Sequence, residues 1–252
     1  MYTPANSGGF ILDRIIAVRE KLAAYWPKEH IQPFFLKAET YLVNGQNSYP
    51  ILLGKSAGKV AFINEKLLQQ NDAYAPVGVS IGVKKVVMAN NAESNPGKVI
   101  TYPYAEDTVF DGAAVGGNTE AECVESVFNA DFSLAADGKE VLYNLDTAQL
   151  KFIPDFRFTA TRTQAATGSL ADMTRFFPLI KEFVLFGGNE NMINISLRGG
   201  ATNQIEAADG QADTERNKVS ICFIGLIVRG GADKVAHIDL PGIADKGFMP
   251  LT

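Results

Sequence analysis

The segment from Val219 to Arg229 limits the possible folds of this chain more than any other part of the sequence. It reads Val-Ser-Ile-Cys-Phe-Ile-Gly-Leu-Ile-Val-Arg, so an extended backbone would send apolar side chains to both sides. A strand that is apolar on both faces needs a covering layer on each face, which places it in the middle of a sheet. The sequence therefore predicts a layered β fold built around this strand.

Other strand-like segments precede it at short intervals, separated by Gly, Asn and Asp. They are predicted at 34–43, 49–53, 60–64, 77–88, 98–102, 129–134, 141–143, 150–153, 156–161, 180–186 and 192–197. Asn44-Gly45 and Asp137-Gly138 are signals of tight hairpin turns. Pro50 lacks an N–H, which places its strand at a sheet edge or a bulge. Roughly twelve strands and few helices predict an all-β jelly-roll sandwich or barrel rather than a parallel α/β sheet.

One long helix is predicted at the N-terminus, from Phe10 to Trp26. Its apolar residues recur every three or four positions, namely Phe10, Ile11, Ile15, Val18, Leu22 and Tyr25. Ser7 or Asn6 is available as the N-cap, and Pro27 ends the pattern. The polar face is too weakly basic for a membrane-surface helix, so we expect this helix to dock on the body of the protein. A second, short helix is predicted from Ser169 to Phe177.

The Gly- and Ala-rich stretch 111–118 suggests a division of the chain. It predicts an N-terminal arm and helix at 1–32, a first β-barrel block at 33–118 and a second at 119–252. Short similar segments, Ala38–Leu42 and Ala130–Leu134, each precede a turn and a tyrosine, which favours a compact double jelly roll. The alternative is one jelly roll with elaborated loops over 33–240.

Composition excludes several classes of protein. With 46% hydrophobic residues and a net charge of −5, the chain is not of the disordered class. The 23 basic residues are outnumbered by 28 acidic ones, which argues against nucleic-acid binding through general electrostatics. Two cysteines, Cys123 and Cys222, do not form a disulfide framework, although a single bridge between them stays open. The first residues lack a secretory signal pattern, so we expect synthesis in the cytoplasm.

A search for reactive groups finds none in a convincing arrangement. Lys55 follows Gly54 as in a phosphate-binding loop, but the required first glycine is Tyr49. His30 and His237 have no metal-ligand spacing around them, and Asp239 beside His237 is a weak pair. The strand carboxylates Glu39, Asp131, Glu140 and Glu182 are the remaining candidates for acid–base chemistry. The sequence predicts no enzyme, and no catalytic, cofactor-binding or metal-binding residue.

The C-terminal half resembles a known family. The segments 183–191, 193–197 and 222–232 look like the closing strands of viral jelly-roll capsid proteins, and 65–74 before a long strand is similar in style. The nearest resemblance is to major capsid proteins of tailless icosahedral bacteriophages, in particular small single-stranded-DNA phages with an internal membrane.

The resemblance implies a capsid subunit without catalytic residues that assembles with itself, as a trimer in the double jelly-roll lineage. It also implies location in the virion, contact with other virion proteins, and no small-molecule substrate. An internal membrane or the genome would meet the N-terminal side, where Arg14, Arg19, Lys21 and Lys28 carry positive charge. The alternative function is a jelly-roll binding module, such as a glycan- or receptor-binding spike domain.

Overall fold

The structure is a computed structural model, and it describes residues 7–54, 65–90, 92–94, 100–112, 117–151, 176–199, 205–207, 214–232 and 248–251, with the backbone alone for 7–10 and 248–250. The helices are α1 (Ser7–Leu22) and α2 (Glu120–Glu125), and single 3-10 turns cover Lys28–His30, Ser126–Asn129 and Thr147–Leu150. The strands are β1 (Ile31–Tyr41), β2 (Ser48–Leu52), β3 (Ala73–Ala89), β4 (Ala92–Glu93), β5 (Ala130–Ala136), β6 (Lys139–Asp146), β7 (Phe177–Pro178), β8 (Phe183–Phe186), β9 (Asn191–Leu197), β10 (Glu215–Val228) and β11 (Phe248–Pro250).

The strands form two antiparallel sheets. The large sheet has the order β1-β10-β3-β8-β11, and the short strands β4 and β7 also pair with β3. The small sheet has the order β2-β9-β5-β6. The protein is therefore mostly β, as predicted, and β10 lies between β1 and β3 in the large sheet, which confirms its central position.

The two sheets face each other across the main core. Strands β5 and β9 alternate strictly between buried and half-buried residues, as a strand with one face on a core should. Their inward side chains, such as Phe132 and Ile195, meet those of the large sheet, such as Phe223 and Ile221. The rings of Phe132 and Phe223 lie 6.5 Å apart.

Helix α1 covers part of the outer face of the large sheet and adds a third layer. Its predicted stripe is the buried one, because Ile11, Ile15, Val18 and Leu22 all pack against strands of that sheet. The helix ends at Leu22, and the chain continues through turns to Trp26, whose indole Nε1 donates a 3.0 Å hydrogen bond to the carbonyl of Gly231. The prediction of a helix docked on the body is confirmed.

The longer strands pair in a nested order. β5 pairs with β6, β3 with β8, β2 with β9 and β1 with β10, so that the innermost hairpin is enclosed by successive pairs. Along the chain, β1 and β3 belong to the large sheet while β2 and β5 belong to the small one. This order is what a long antiparallel hairpin produces when it is rolled into two sheets.

The predicted hairpin at Asn44-Gly45 is wrong, although the turn forms, with Gly45 at φ +75. β1 lies in the large sheet, whereas β2 crosses to the small sheet and pairs with β9. The hydroxyl of Tyr49 donates to the carbonyl of Gln46 at 2.9 Å. The ring of Tyr49 is buried, and it lies in β2, which faces the main core from the small sheet, opposite β1. An alternating pattern shows which residues are buried but not against which sheet.

By contrast, Asp137-Gly138 joins β5 and β6 as predicted. Both residues have positive φ, 50° and 72°, which is the conformation of a type I′ hairpin turn. The position of Pro50 is also confirmed, because β2 is an edge strand of the small sheet.

The division into two barrel blocks is not seen among the described residues. Both sheets contain strands from 33–118 and from 119–252, since β10 pairs with β1 and β3 and β9 pairs with β2. The reason is that the backbone of β1 and β3 finds its hydrogen-bond partners in the last long strand, which is distant in sequence. In the predicted linker, Asp111 pairs with Lys85 at 2.9 Å, and Thr119, directly after the linker, caps α2 with a capping box. The strands predicted at 60–64 and 156–161, and all but the end of the second helix, lie outside the described residues.

Candidate functional site

The outer face of the large sheet is divided into an apolar half and a polar half. Across β1, β10 and β3, the apolar rows are Ile31–Val228–Ala73, Pro33–Leu226–Ala75 and Phe35–Ile224–Gly78. The next rows along the same strands are Lys37–Cys222–Ser80, Glu39–Ser220–Gly82 and Tyr41–Lys218–Lys84. Helix α1 packs on the apolar rows. The side chain of Ile11 lies beside Gly78, in the last of the apolar rows.

The charged groups of the polar rows converge on one carboxylate. Lys84 bonds to Oε1 of Glu39, to which Lys37 also comes within 3.2 Å, and Lys218 lies 2.6 Å from Oε2. We call Lys37, Glu39, Tyr41, Lys84, Glu93 and Lys218 the charged patch. Its second carboxylate, on β4, is Glu93, which lies 2.6 Å from Lys218 and accepts a 3.1 Å bond from the hydroxyl of Tyr41.

The charged patch is buried. The side chains of Glu39 and Lys218 have no exposed surface, that of Lys84 has 2% and that of Glu93 has 9%. Tyr41 is half-buried, and the side chain of Lys37 is 26% exposed. A buried charge is tolerated only when it is paired and hydrogen-bonded. The patch therefore joins β1, β10, β3 and β4 through charge rather than through apolar packing.

Burial and charge shift the pKa values of the patch in opposite directions. Burial alone raises the pKa of Glu39, but the charges of Lys84 and Lys218 outweigh it and lower this pKa to about 2. Burial, opposed only in part by Glu39, lowers the pKa of Lys84 to about 8. Burial and the charge of Glu93 raise the pKa of Tyr41 to about 12. Glu39 is thus held as a carboxylate, while Lys84 is the least well compensated charge.

A second buried cluster lies at the same end of β3, around Lys85 and Glu120. Glu120 is fully buried at the start of α2, where it accepts bonds from Asn217 at 2.7 Å and from the N–H of Gly112 at 2.9 Å. Lys85 lies 3.2 Å from Glu120, and its ammonium also meets Asp111 and Glu215. This cluster connects α2 and the 111–112 segment to the large sheet.

Of the four carboxylates singled out in the sequence, three are paired with basic side chains. Glu39 lies in the charged patch, Asp131 binds Arg198 at 2.6 Å, and Glu182 binds Lys21 at 2.7 Å. Glu140 is exposed on β6. The structure therefore places them on different surfaces, each in an electrostatic contact or in solvent rather than facing another of the four.

The remaining candidates are also placed. Cys123 is buried in the main core and Cys222 lies on the outer face. Neither forms a disulfide, which answers the open question of a bridge. Burial raises the pKa of the Cys222 thiol to about 11, against the charges of Lys37 and other lysines. Within the described part of the chain, no three His, Cys, Asp or Glu residues are grouped so as to hold a metal ion. Lys55, His237 and Asp239 lie outside it.

Sequence reasoning missed the lysines of the patch. Lys84 and Lys218 each lie in or beside a strand of β-branched residues, where a charge is unusual. A lysine within an apolar strand was the signal that could have pointed to the patch, but a lysine near the end of a strand is normally solvated. Only the register of β1, β10 and β3 brings both of them to Glu39.

Comparison with known proteins gives no relative: no protein-family model, no curated protein and no solved structure matches the chain. Among the helices that the structure describes, none is long and apolar enough to cross a membrane. The fold and the patch define the protein as an antiparallel β-sandwich with an N-terminal helix and a buried ionic cluster on its outer face.

Proposed function

We propose that the protein is a viral structural protein, the major subunit of an icosahedral capsid, and that its sandwich is a single jelly roll. The observation that carries this proposal is the nested strand pairing. Without the short strands β4, β7 and β11, eight strands remain, with the orders β1-β10-β3-β8 and β2-β9-β5-β6. A jelly roll is a double sheet of eight strands in two Greek keys, and viral capsid domains use it widely.

The space between the two sheets is filled with side chains, which favours a structural subunit over a protein that binds a ligand between its sheets. Between the sheets, large side chains such as Phe128, Phe132 and Phe183 are fully buried, and Phe223 is 1% exposed. These side chains fill the space between the sheets, as in small β barrels whose interior is packed with side chains. Assembly contacts would therefore be made by the outer surface, the loops and the sheet edges.

Exposed apolar side chains are available on that surface. Ile180, in the connection before β8, is 88% exposed, and Tyr143 on β6 is 65% exposed. Single exposed apolar residues are common on any protein, so their role has to be tested by substitution. If they make subunit contacts, a charge at either position should weaken assembly without changing the fold.

Light scattering after size-exclusion chromatography, with electron microscopy of the same fractions, tests the proposal. We expect trimers or larger assemblies and, at high concentration, closed particles. Ile180→Asp should reduce the assembled fraction at an unchanged melting temperature, while the exposed control Glu140→Gln should change neither. A protein that stays monomeric at every concentration and forms no particles would overturn the capsid proposal, and glycan binding by that monomer would favour the binding-module alternative.

Contact of the N-terminal side with a membrane or genome is the second part of the proposal. Lys21 and Arg14 lie within 2.7 and 3.6 Å of Glu182, and Lys28 pairs with Glu20. Much of the positive charge on this side is thus balanced inside the protein. Replacing the four basic residues of this helix region with Gln should lower genome or membrane content, and normal filled particles would contradict this contact.

A further inference from the structure

We propose that Lys85 and Asn217 become joined by an intramolecular isopeptide bond, formed with Glu120 as the catalytic residue. This inference does not depend on the capsid proposal. It rests on the second buried cluster, where one carboxylate contacts both a lysine amine and an asparagine amide.

The strand register places the two side chains next to each other. Asn217 on β10 is the registered partner of Lys85 on β3. The backbone of Asn217 bonds away from β3, because its N–H donates to the carbonyl of Glu206 and its carbonyl accepts from the N–H of Leu42. Lys85 and Asn217 therefore form a non-hydrogen-bonded pair, in which the Cα atoms lie about 4.5 Å apart and the side chains are closest. Both project from the inner face of the large sheet, opposite to the charged patch.

The carboxylate of Glu120 bridges the two groups. Its Oε1 accepts a 2.7 Å hydrogen bond from Nδ2 of Asn217, and its Oε2 lies 3.2 Å from Nζ of Lys85. The N–H of Gly112 donates to Oε2 at 2.9 Å and helps to fix the carboxylate. Glu120 thus contacts the nucleophile and the leaving group of an amide exchange, each through a different oxygen.

The three reacting groups are shielded from water. Glu120 and Asn217 have no exposed surface, and the side chain of Lys85 is 8% exposed. The amide of Asn217 is held through its nitrogen, which also donates to the carbonyl of Ile205 at 3.2 Å. Its oxygen Oδ1 is buried with no hydrogen-bond partner among the described residues, which is uncommon in native structures. The contacts therefore fix the atom that has to leave.

The reaction needs no partner from outside the chain. Glu120 removes a proton from the ammonium group of Lys85, and the neutral Nζ attacks Cγ of Asn217. The Nζ–Cγ bond forms and the Cγ–Nδ2 bond breaks, while Glu120 passes the two protons that Nζ loses to Nδ2. Nδ2 leaves as an ammonium ion, nothing is oxidised or reduced, and Glu120 ends as the carboxylate that it was at the start.

The product would join two neighbouring strands of the large sheet covalently. Lys85 and Asn217 lie more than 130 positions apart in the sequence. A covalent link that closes a long loop restricts the unfolded chain and so stabilises the folded one. The bond would therefore hold β3 beside β10 even when the rest of the chain unfolds.

The charges around Lys85 control the rate. Burial lowers the pKa of Lys85, but its hydrogen bonds to Asp111, Glu215 and Glu120 outweigh burial and raise this pKa. The neutral amine is therefore scarce at neutral pH, and we expect the bond to form slowly there and faster as the pH rises. The side chain of Asp111 is 69% exposed, so Asp111→Asn removes one of these charges outside the core and should speed the reaction at a given pH.

Mass spectrometry of the full chain tests the proposal. During incubation of the folded protein at about pH 9, closer to the ordinary pKa of a lysine, the intact mass should fall by that of one ammonia molecule. Digestion should then yield a peptide in which Lys85 is joined to Asn217. The joined peptide has to be identified, because a succinimide at Asn44-Gly45 would lose the same mass.

Three variants make the test specific. Lys85→Arg keeps the positive charge but carries a guanidinium that is always protonated, so it should fold and form no joined peptide. Glu120→Gln, with its folding checked by circular dichroism, should slow the reaction about 100-fold. The exposed control Lys139→Arg on β6 should react as the natural protein does. The proposal is overturned if the folded natural protein gives no joined peptide at this pH, or if Glu120→Gln forms it at the natural rate.

Discussion

Removing the negative charge of Glu39 should destabilise the protein far more than removing the positive charge of Lys84. Glu39→Gln keeps the shape of the side chain but leaves the buried Lys84 and Lys218 with Glu93 as the remaining carboxylate of the patch. Breaking a buried ion pair by removing one partner costs about 3–5 kcal/mol. We expect this loss in the free energy of unfolding of Glu39→Gln.

Lys84→Met has a different balance. Glu39 keeps Lys218 at 2.6 Å and Lys37 at 3.2 Å, and the repulsion between Lys37 and Lys84 disappears. Replacing a buried charge with an apolar side chain of similar size is often nearly neutral when no partner is left alone. We therefore expect Lys84→Met to cost less than about 1.5 kcal/mol.

Equilibrium unfolding in urea, followed by circular dichroism, measures both changes. With a slope of about 3 kcal/mol per M, Glu39→Gln should lower the midpoint by about 1–1.7 M. The exposed control Glu140→Gln should stay within about 0.5 kcal/mol of the natural protein. The reasoning is refuted if Glu39→Gln costs less than about 1 kcal/mol, or if Lys84→Met costs as much as Glu39→Gln.

Three further changes follow from the structure. The pKa of Glu39 is lowered to about 2, so the contribution of this carboxylate to stability should be complete above its ordinary pKa of 4.5 and should be lost as the pH falls from 4.5 toward 2. Glu39→Gln should flatten this part of the curve of unfolding free energy against pH, measured by urea titrations. The pKa of Lys84 is lowered to about 8, so above pH 8 the unfolded chain binds more protons at this lysine than the folded protein does. The free energy of unfolding should therefore rise from pH 8 to 10 relative to that of Lys84→Met. The same pH dependence in both proteins would contradict the lowered pKa. Gly187→Ala should cost about 1–3 kcal/mol, because the added Cβ would overlap the carbonyl of Gln69, whereas Gly199→Ala, with nothing within 4 Å, should be nearly neutral in the same urea experiment.

The local structure could be predicted where the residues of one short segment determine it by themselves. The stripe of α1 and the alternation of β5 and β9 each mark a buried face by spacing alone. Asp137-Gly138 determines its hairpin because both residues accept positive φ. Val219–Arg229 indicated a central strand, since residues that are apolar on both faces need cover on both sides.

The sequence pattern did not reveal which strands become partners. Asn44-Gly45 predicts a hairpin, yet β2 pairs with β9, and the paired residues lie 140 to 148 positions apart, from Leu52 and Met192 to Ser48 and Ser196. Both sheets likewise combine strands that precede and strands that follow residues 111–118. Backbone hydrogen bonds between strands are the same for nearly all residue types, so the residue pattern of a strand does not determine which strand pairs with it.

The charged patch also separates what the sequence determines from what the tertiary structure determines, here for side chains. The sequence determined that this chain forms antiparallel strands, with α1 docked by an apolar stripe, because periodicity and turn chemistry act over a few residues. The tertiary structure alone decided that Lys84 and Lys218 meet Glu39. The register of β10 with β1 and β3 sets which side chains share a row, and it brings Lys218 beside residues that precede it by more than 130 positions. Charges that are ordinary in the sequence become a coupled, buried cluster only when that register excludes water from them.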